Sequence, residues 1–160
     1  MKLYHGSYLE VINPKILEKH RPLDFGGGFY LTSSEKQASD WAKLVTLRRR
    51  NAEAPVLNIY DFQEENMNSL EVLHFELADE DWLEFVVANR KGIPLSKQYD
   101  LIIGAVADDA TLPVINDYMD GKLDKSEALK RLLPQKLTDQ YNFVTQKALN
   151  LLEFERSNKL

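Results

Sequence analysis

The run 101-LIIGAV-106 is almost continuously apolar, and its reading decides how the remaining chain is arranged. A strand with one wet face alternates apolar and polar side chains. One without that alternation is covered on both faces, so 101–106 is expected to be a central strand. Outward toward the N-terminus, Asp79 stands where it can cap a helix carrying Trp82, Phe85, Val86 and Asn89 on one face, before Gly92 and Pro94 end it. VLNIYDF at 56–62 and LEVLHFE at 70–76 alternate in the manner of strands. On the other side, Asp108 and Asp109 leave the central run, and short helices are expected at about 113–120, closed by Gly121, and 125–133. Asp124 with Glu127 caps the second of these and Pro134 ends it. YNFV at 141–144 reads as a strand, 145–149 as a helical turn and LLEFE at 151–155 as a closing strand.

The first third supplies two more short strands, at 3–7 and 29–31, the second preceded by Gly26-Gly27-Gly28. Ser34 followed by Gln37 resembles a capping box, and Ala38, Trp41, Ala42 and Val45 then recur at helical spacing, which predicts a helix over 35–48. Arg48, Arg49 and Arg50 fall at its end, where the macrodipole favours positive charge. With Lys43 they also form the best candidate patch for an anionic macromolecule. No repeat or long polar linker divides the chain, so one α+β domain over 1–160 is the economical reading.

Composition narrows the chemistry. Twenty Lys and Arg against twenty-five Asp and Glu give a net charge of −5, which argues against indiscriminate nucleic-acid binding without forbidding a local basic patch. The chain has no cysteine, which removes disulfides, thiolate catalysis and Cys-based metal sites. Its three histidines, His5, His20 and His74, are far apart and form no HExxH, so no metal is expected. The opening MKLYHGSYLEV has no apolar run behind its lysine, and no apolar stretch approaches the roughly twenty residues of a bilayer-spanning helix. A cytoplasmic, non-membrane protein is the expectation.

Three features carry the functional signal: Tyr4-His5-Gly6-Ser7 on the first strand, 25-FGGGFYLT-32 entering the second, and Asp139-Gln140-Tyr141 entering a late strand. Taken singly, each has a plainer role. A histidine beside a glycine satisfies ordinary hydrogen bonds, three glycines make a turn, Tyr30 packs, and Trp41 anchors a core. Their order and offsets are more specific. Together with the helix beginning at Ser34 they resemble the His–Tyr–Glu class of ADP-ribosyltransferases, the superfamily of the poly-ADP-ribose polymerases and diphtheria-type toxins. More closely, DWLEFVVANR, YDLIIGAVADD and DQYNFVTQKAL resemble the bacterial DUF3990 family, placed in that superfamily and found beside small antitoxin-like proteins.

The resemblance implies a split sheet with peripheral helices and an NAD site. By motif, His5 bonds a ribose hydroxyl, the backbone of Gly6 pairs with the nicotinamide carboxamide, and Ser7 and Gly28 flank the cofactor. Tyr30 stacks on nicotinamide, and Trp41, eleven residues on, closes over its other face. A serine that bonds the carboxamide in some relatives is Ala38 here, with Ser34 or Ser39 as substitutes. Arg90 is expected to reach the pyrophosphate or an acidic residue. The physics of these roles holds without the family. Cleaving NAD passes through an oxocarbenium-like state, so groups that fix the ribose and hold the ring favour departure of nicotinamide.

The family's catalytic glutamate is Gln140 here. An amide oxygen can accept from a ribose hydroxyl but cannot act as a base, so either the acceptor needs little deprotonation or Glu84, Asp108 or Asp109 supplies the charge. The resemblance thus implies mono-ADP-ribosyl transfer from NAD to an unidentified acceptor. The enzyme would be a candidate toxin with a small antitoxin partner. NAD hydrolysis, a non-catalytic NAD-binding module and a purely structural interaction protein are the alternatives.

Overall fold

The computed structural model describes residues 1–17 and 23–160. The apolar run forms β5 (Leu101–Ala105), and its side chains divide as a doubly covered strand requires. Leu101 and Ile103 enter one cluster with Leu3, Leu31, Tyr60, Phe62 and Phe143, while Ile102 enters a second with Trp82, Leu83, Val86, Ile115 and Leu132. On one side β5 pairs in parallel with β4 (Val72–His74). On the other it pairs antiparallel with β6 (Asp139–Phe143), which pairs in turn with β2 (Phe29–Leu31). This sheet has the order β2-β6-β5-β4. A second sheet has the order β1-β3-β7, built from β1 (Lys2–Ser7), β3 (Val56–Phe62) and β7 (Leu152–Lys159), all antiparallel.

The sheets meet where β1 and β2 form a single bridge at Tyr4 and Thr32, with N–H···O distances of 2.9 and 3.0 Å. This mixed α+β arrangement of two open sheets agrees with a split sheet without being peculiar to ADP-ribosyltransferases. Helix α1 (Glu35–Leu47) lies on β1, and α2 (Glu80–Arg90), α3 (Leu112–Met119) and α4 (Lys125–Leu132) cover the second cluster. The caps are those the sequence names. Ser34, Asp79 and Asp124 accept from the N–H groups of Gln37, Trp82 and Glu127. Helix α5 (Gln146–Leu149) is the expected turn.

Three expectations shift. The strand expected over 70–76 shortens to β4, because Glu64–Ser69 winds into a 3-10 helix whose last bond, Leu70 N–H to the Met67 carbonyl, uses the approach to the strand. β7 outlasts its apolar pattern and runs to Lys159 along the whole of β3, with a register shift at Ile59/Tyr60. Helix α1 ends at Leu47, so the three arginines lie just beyond its last turn.

Candidate functional site

From the Tyr4–Thr32 bridge, β1 and β2 open as a fork. In an extended strand, both backbone groups of a residue point to one edge, and those of its neighbours point to the other. Tyr4 turns both groups to Thr32, so Gly6 turns its N–H and C=O to the same edge, away from β3. By the same alternation Tyr30 directs its groups across the fork toward β1. The His5 ring spans the gap, with Nδ1 2.8 Å from the Tyr30 carbonyl oxygen. A carbonyl only accepts, so Nδ1 carries the proton and Nε2 of the neutral ring is left as an acceptor. Burial holds the His5 pKa below its ordinary value, favouring that neutral form, although the Tyr30 carbonyl pulls the other way.

The ring of His5 also lies against Phe29, with centroids 4.3 Å apart. Opposite it on β3, Asn58 ties down the following segment, accepting from Val11 N–H at 2.8 Å and donating to the Leu9 carbonyl at 3.0 Å. Ser7 Oγ accepts from Leu9 N–H. Gly6 has a purely steric reason to be glycine. A Cβ there would stand 2.0 Å from the Ala38 carbonyl oxygen and 2.8 Å from Ala42 N, because α1 packs directly on β1.

Tyr30 is committed to the glycine loop. Its hydroxyl donates to the Gly26 carbonyl at 2.6 Å and accepts from Phe25 N–H at 3.1 Å, and burial raises its pKa. Asn142, paired with Tyr30 in the β2–β6 register, holds the same loop by donating to the carbonyls of Phe25 (3.0 Å) and Gly27 (3.1 Å). Gly28 has φ +148°, and a Cβ on it would meet Asn142 Oδ1 at 2.0 Å. That oxygen is buried and unpartnered among the described residues. The loop is therefore pinned from both strands. His5 and Tyr30 meet through the Tyr30 carbonyl, not ring to ring: the phenol lies with the α2-covered cluster, and Phe29 with the other.

Trp41 is not a core anchor. Ala38 and Ala42 are the buried residues of α1, and Trp41 stands 51% exposed on its flank. Gln140 is buried on β6 and donates from Nε2 to the Ala105 carbonyl at 3.3 Å, while its Oε1 accepts nothing among the described residues. Arg90 takes the acidic partner, not an open position: Nε lies 2.7 Å from Asp24 Oδ1, just before the glycine loop. Asn89 donates back to the Phe85 carbonyl.

Two of the three carboxylates expected to replace the glutamate have other work. Glu84 accepts from the Tyr118 hydroxyl at 2.6 Å and pairs with Lys125, and both hold its pKa down. Asp108 accepts from the N–H groups of Ala110 and Thr111. Asp109 is exposed. Asp139, to which the sequence assigns no role beyond opening the late strand, adjoins Gln140. Its carboxylate accepts from Ser33 N–H at 2.8 Å, from the Ser33 hydroxyl and from the Thr32 hydroxyl at 3.1 Å, at the closed end of the fork. Its position one residue before Gln140 was the available signal.

A cavity of about 300 Å³ borders the glycine loop from the α2 side, lined by Phe25, Gly26, Gly27, Asn89, Lys97 and Tyr99 among others; His5 and Trp41 are not in its wall. Among the described residues no three His, Asp or Glu gather as metal ligands, and none forms a helix long and apolar enough to cross a membrane. His20 lies outside the described residues. No curated protein and no solved structure matches this chain. A family model does: “Protein of unknown function (DUF3990)” matches residues 1–154, and the chain belongs to that family.

Proposed function

We propose that the chain is an NAD-dependent mono-ADP-ribosyltransferase whose site is the fork between β1 and β2. One observation carries the reading: the hydrogen bond from His5 Nδ1 to the Tyr30 carbonyl, which among the described residues leaves Nε2 without a donor, beside a Gly6 backbone edge that pairs with none of them. In this mechanism Nε2 of His5 accepts from a ribose hydroxyl. The N–H and C=O of Gly6 pair with the nicotinamide carboxamide, at little reorganisation cost because both are fixed in a strand. Trp41, exposed beside the fork, covers one face of the ring. Tyr30 contributes by holding Gly26, and Ser7 and Gly28 border the space. Gln140 Oε1 accepts from a second hydroxyl.

Gln140 offers no base, and Glu84 and Asp108 are engaged elsewhere, so the acceptor is one that attacks without prior deprotonation. Placement of the enzyme as the toxin of a toxin–antitoxin pair, held in check by a small antitoxin, follows from the resemblance alone. The burial of Gln140 against the Ala105 carbonyl favours one second reading, an NAD-binding module that does not turn over.

Incubation with adenine-labelled NAD and bacterial lysate separates the readings. Label on a macromolecule supports transfer, free nicotinamide without macromolecular label indicates hydrolysis, and bound intact NAD indicates the binding module. His5→Ala should abolish labelling with the fold retained. Labelling at the parental level in that variant would remove the fork from the chemistry.

A further inference from the structure

The second half of α1 and the residues just after it carry a cluster of positive charge. Lys43, Arg48, Arg49 and Arg50 are all exposed, and none forms an ion pair among the described residues, in a chain whose net charge is −5. The arginines lie beyond the last helical turn, so helix capping does not account for the whole run. Arg49 instead places its guanidinium 4.7 Å from the ring centroid of Tyr8, which follows the last residue of β1. Gly6, two residues earlier, sits beneath Ala38 and Ala42 of the same helix. The cations and the Arg49–Tyr8 pair therefore stand at the open end of the fork.

We infer that this surface binds single-stranded nucleic acid, with Arg48, Arg50 and Lys43 on phosphates and the Tyr8–Arg49 pair as a platform for a base. An aromatic ring already stacked with a guanidinium presents two flat, sequence-tolerant surfaces, and flanking cations follow a phosphate backbone. As an identification of the acceptor, the inference rests on the proposed NAD reading; as a binding surface it stands apart from it. A ring nitrogen of a base suits a site without a general base. Its lone pair forms the bond to the anomeric carbon as the bond to nicotinamide breaks. The electron pair of that bond returns to the pyridine nitrogen, and any proton on the attacking nitrogen passes to water. Leu44 and Leu47 are also exposed, which makes an acidic amphipathic peptide the competing occupant.

The test is anisotropy of a short fluorescent single-stranded oligonucleotide of mixed sequence, titrated with the full chain at several salt concentrations. Three phosphate contacts predict a slope of log K against log salt of about −2. Replacing Arg48, Arg50 and Lys43 together by alanine should flatten that slope, and Tyr8→Ala should weaken binding about tenfold. All three cations are exposed, so an unchanged melting temperature certifies the fold of the triple variant. Absence of binding at low salt, an unaffected triple variant, or a polyglutamate peptide competing as well as the oligonucleotide would each overturn the inference. Nicotinamide release is followed separately. Binding without release upholds the surface and removes the transfer reading, whereas release without binding removes the surface and leaves NAD cleavage standing.

Discussion

Replacing Gly6 by alanine tests the contact on which the fork depends. The added Cβ would lie 2.0 Å from the Ala38 carbonyl oxygen and 2.8 Å from Ala42 N, against the roughly 3.5 Å of ordinary non-bonded contact. Both obstacles are helix backbone, so no rotamer change relieves them and α1 must lift from β1 as a body. Overpacking of this kind costs about 1–3 kcal/mol, and removing glycine from a strand returns about 0.5–1 kcal/mol. The upper end applies here because the obstruction is rigid, giving a net loss of about 2 kcal/mol. For a chain of this length that lowers the melting temperature by roughly 4–8 °C. Thermal unfolding followed by circular dichroism measures it. Ala38→Gly in the same background should give no rescue, since the clash is with the carbonyl and not with the Ala38 methyl. A Gly6→Ala protein melting within a degree of the parent would refute the packing account.

Three further outcomes follow from the same geometry. Tyr30→Phe removes the hydroxyl that holds Gly26 and Phe25, costing about 1–3 kcal/mol; amide exchange should speed up over residues 25–28, and an unchanged exchange rate there counts against the latch. The His5 pKa is lowered, so its imidazole should titrate by NMR with a midpoint below about 6.5. As pH falls below that value the unfolded chain takes up a proton that the folded one resists, so stability falls; a midpoint at or above 6.5 contradicts the neutral, Nδ1-protonated ring. Asp100 has its pKa lowered by Glu71 N–H, the Thr145 hydroxyl and Lys147. Its contribution is present above the unfolded carboxylate pKa of about 3.9 and is lost as pH falls through the lower folded value. Asp100→Asn should therefore cost about 1–3 kcal/mol in urea unfolding at neutral pH and much less near pH 2.

What the sequence made legible is what local physics determines. The two-sided burial of β5 appears as an unbroken apolar run, and Ser34, Asp79 and Asp124 cap the helices they precede. The fork was not legible, because the Tyr4–Thr32 bridge is a non-local pairing. Nor does anything in YHGS announce which strand edge stays open. The exposure of Trp41 was not legible for a simpler reason: successive helical residues are about 100° apart, so Trp41 and Ala42 cannot both face β1, and the close approach at Gly6 selects the small one. Sequence also does not reveal where the Tyr30 hydroxyl finds its partners; the loop it closes is its own upstream turn.

Asp139 and Gln140 bring the remaining argument to one place. Alternation along β6 puts their side chains on opposite faces, so Asp139 cannot take the place of Gln140 by a small rotation. Asp139 instead anchors Thr32 and Ser33, and the Thr32 hydroxyl lies 2.8 Å from Gln37 Oε1 while accepting from Ser34 N–H. The carboxylate thereby fixes both the entrance to α1 and the closed end of the fork. A negative charge serves the helix N-terminus there, and its oxygens are already taken by the donors of Thr32 and Ser33. On the proposed reading the fork offers acceptors for hydroxyls and a backbone edge for a planar amide, while the Asp139 carboxylate is used by the fold. This combination favours an acceptor that arrives with its lone pair ready.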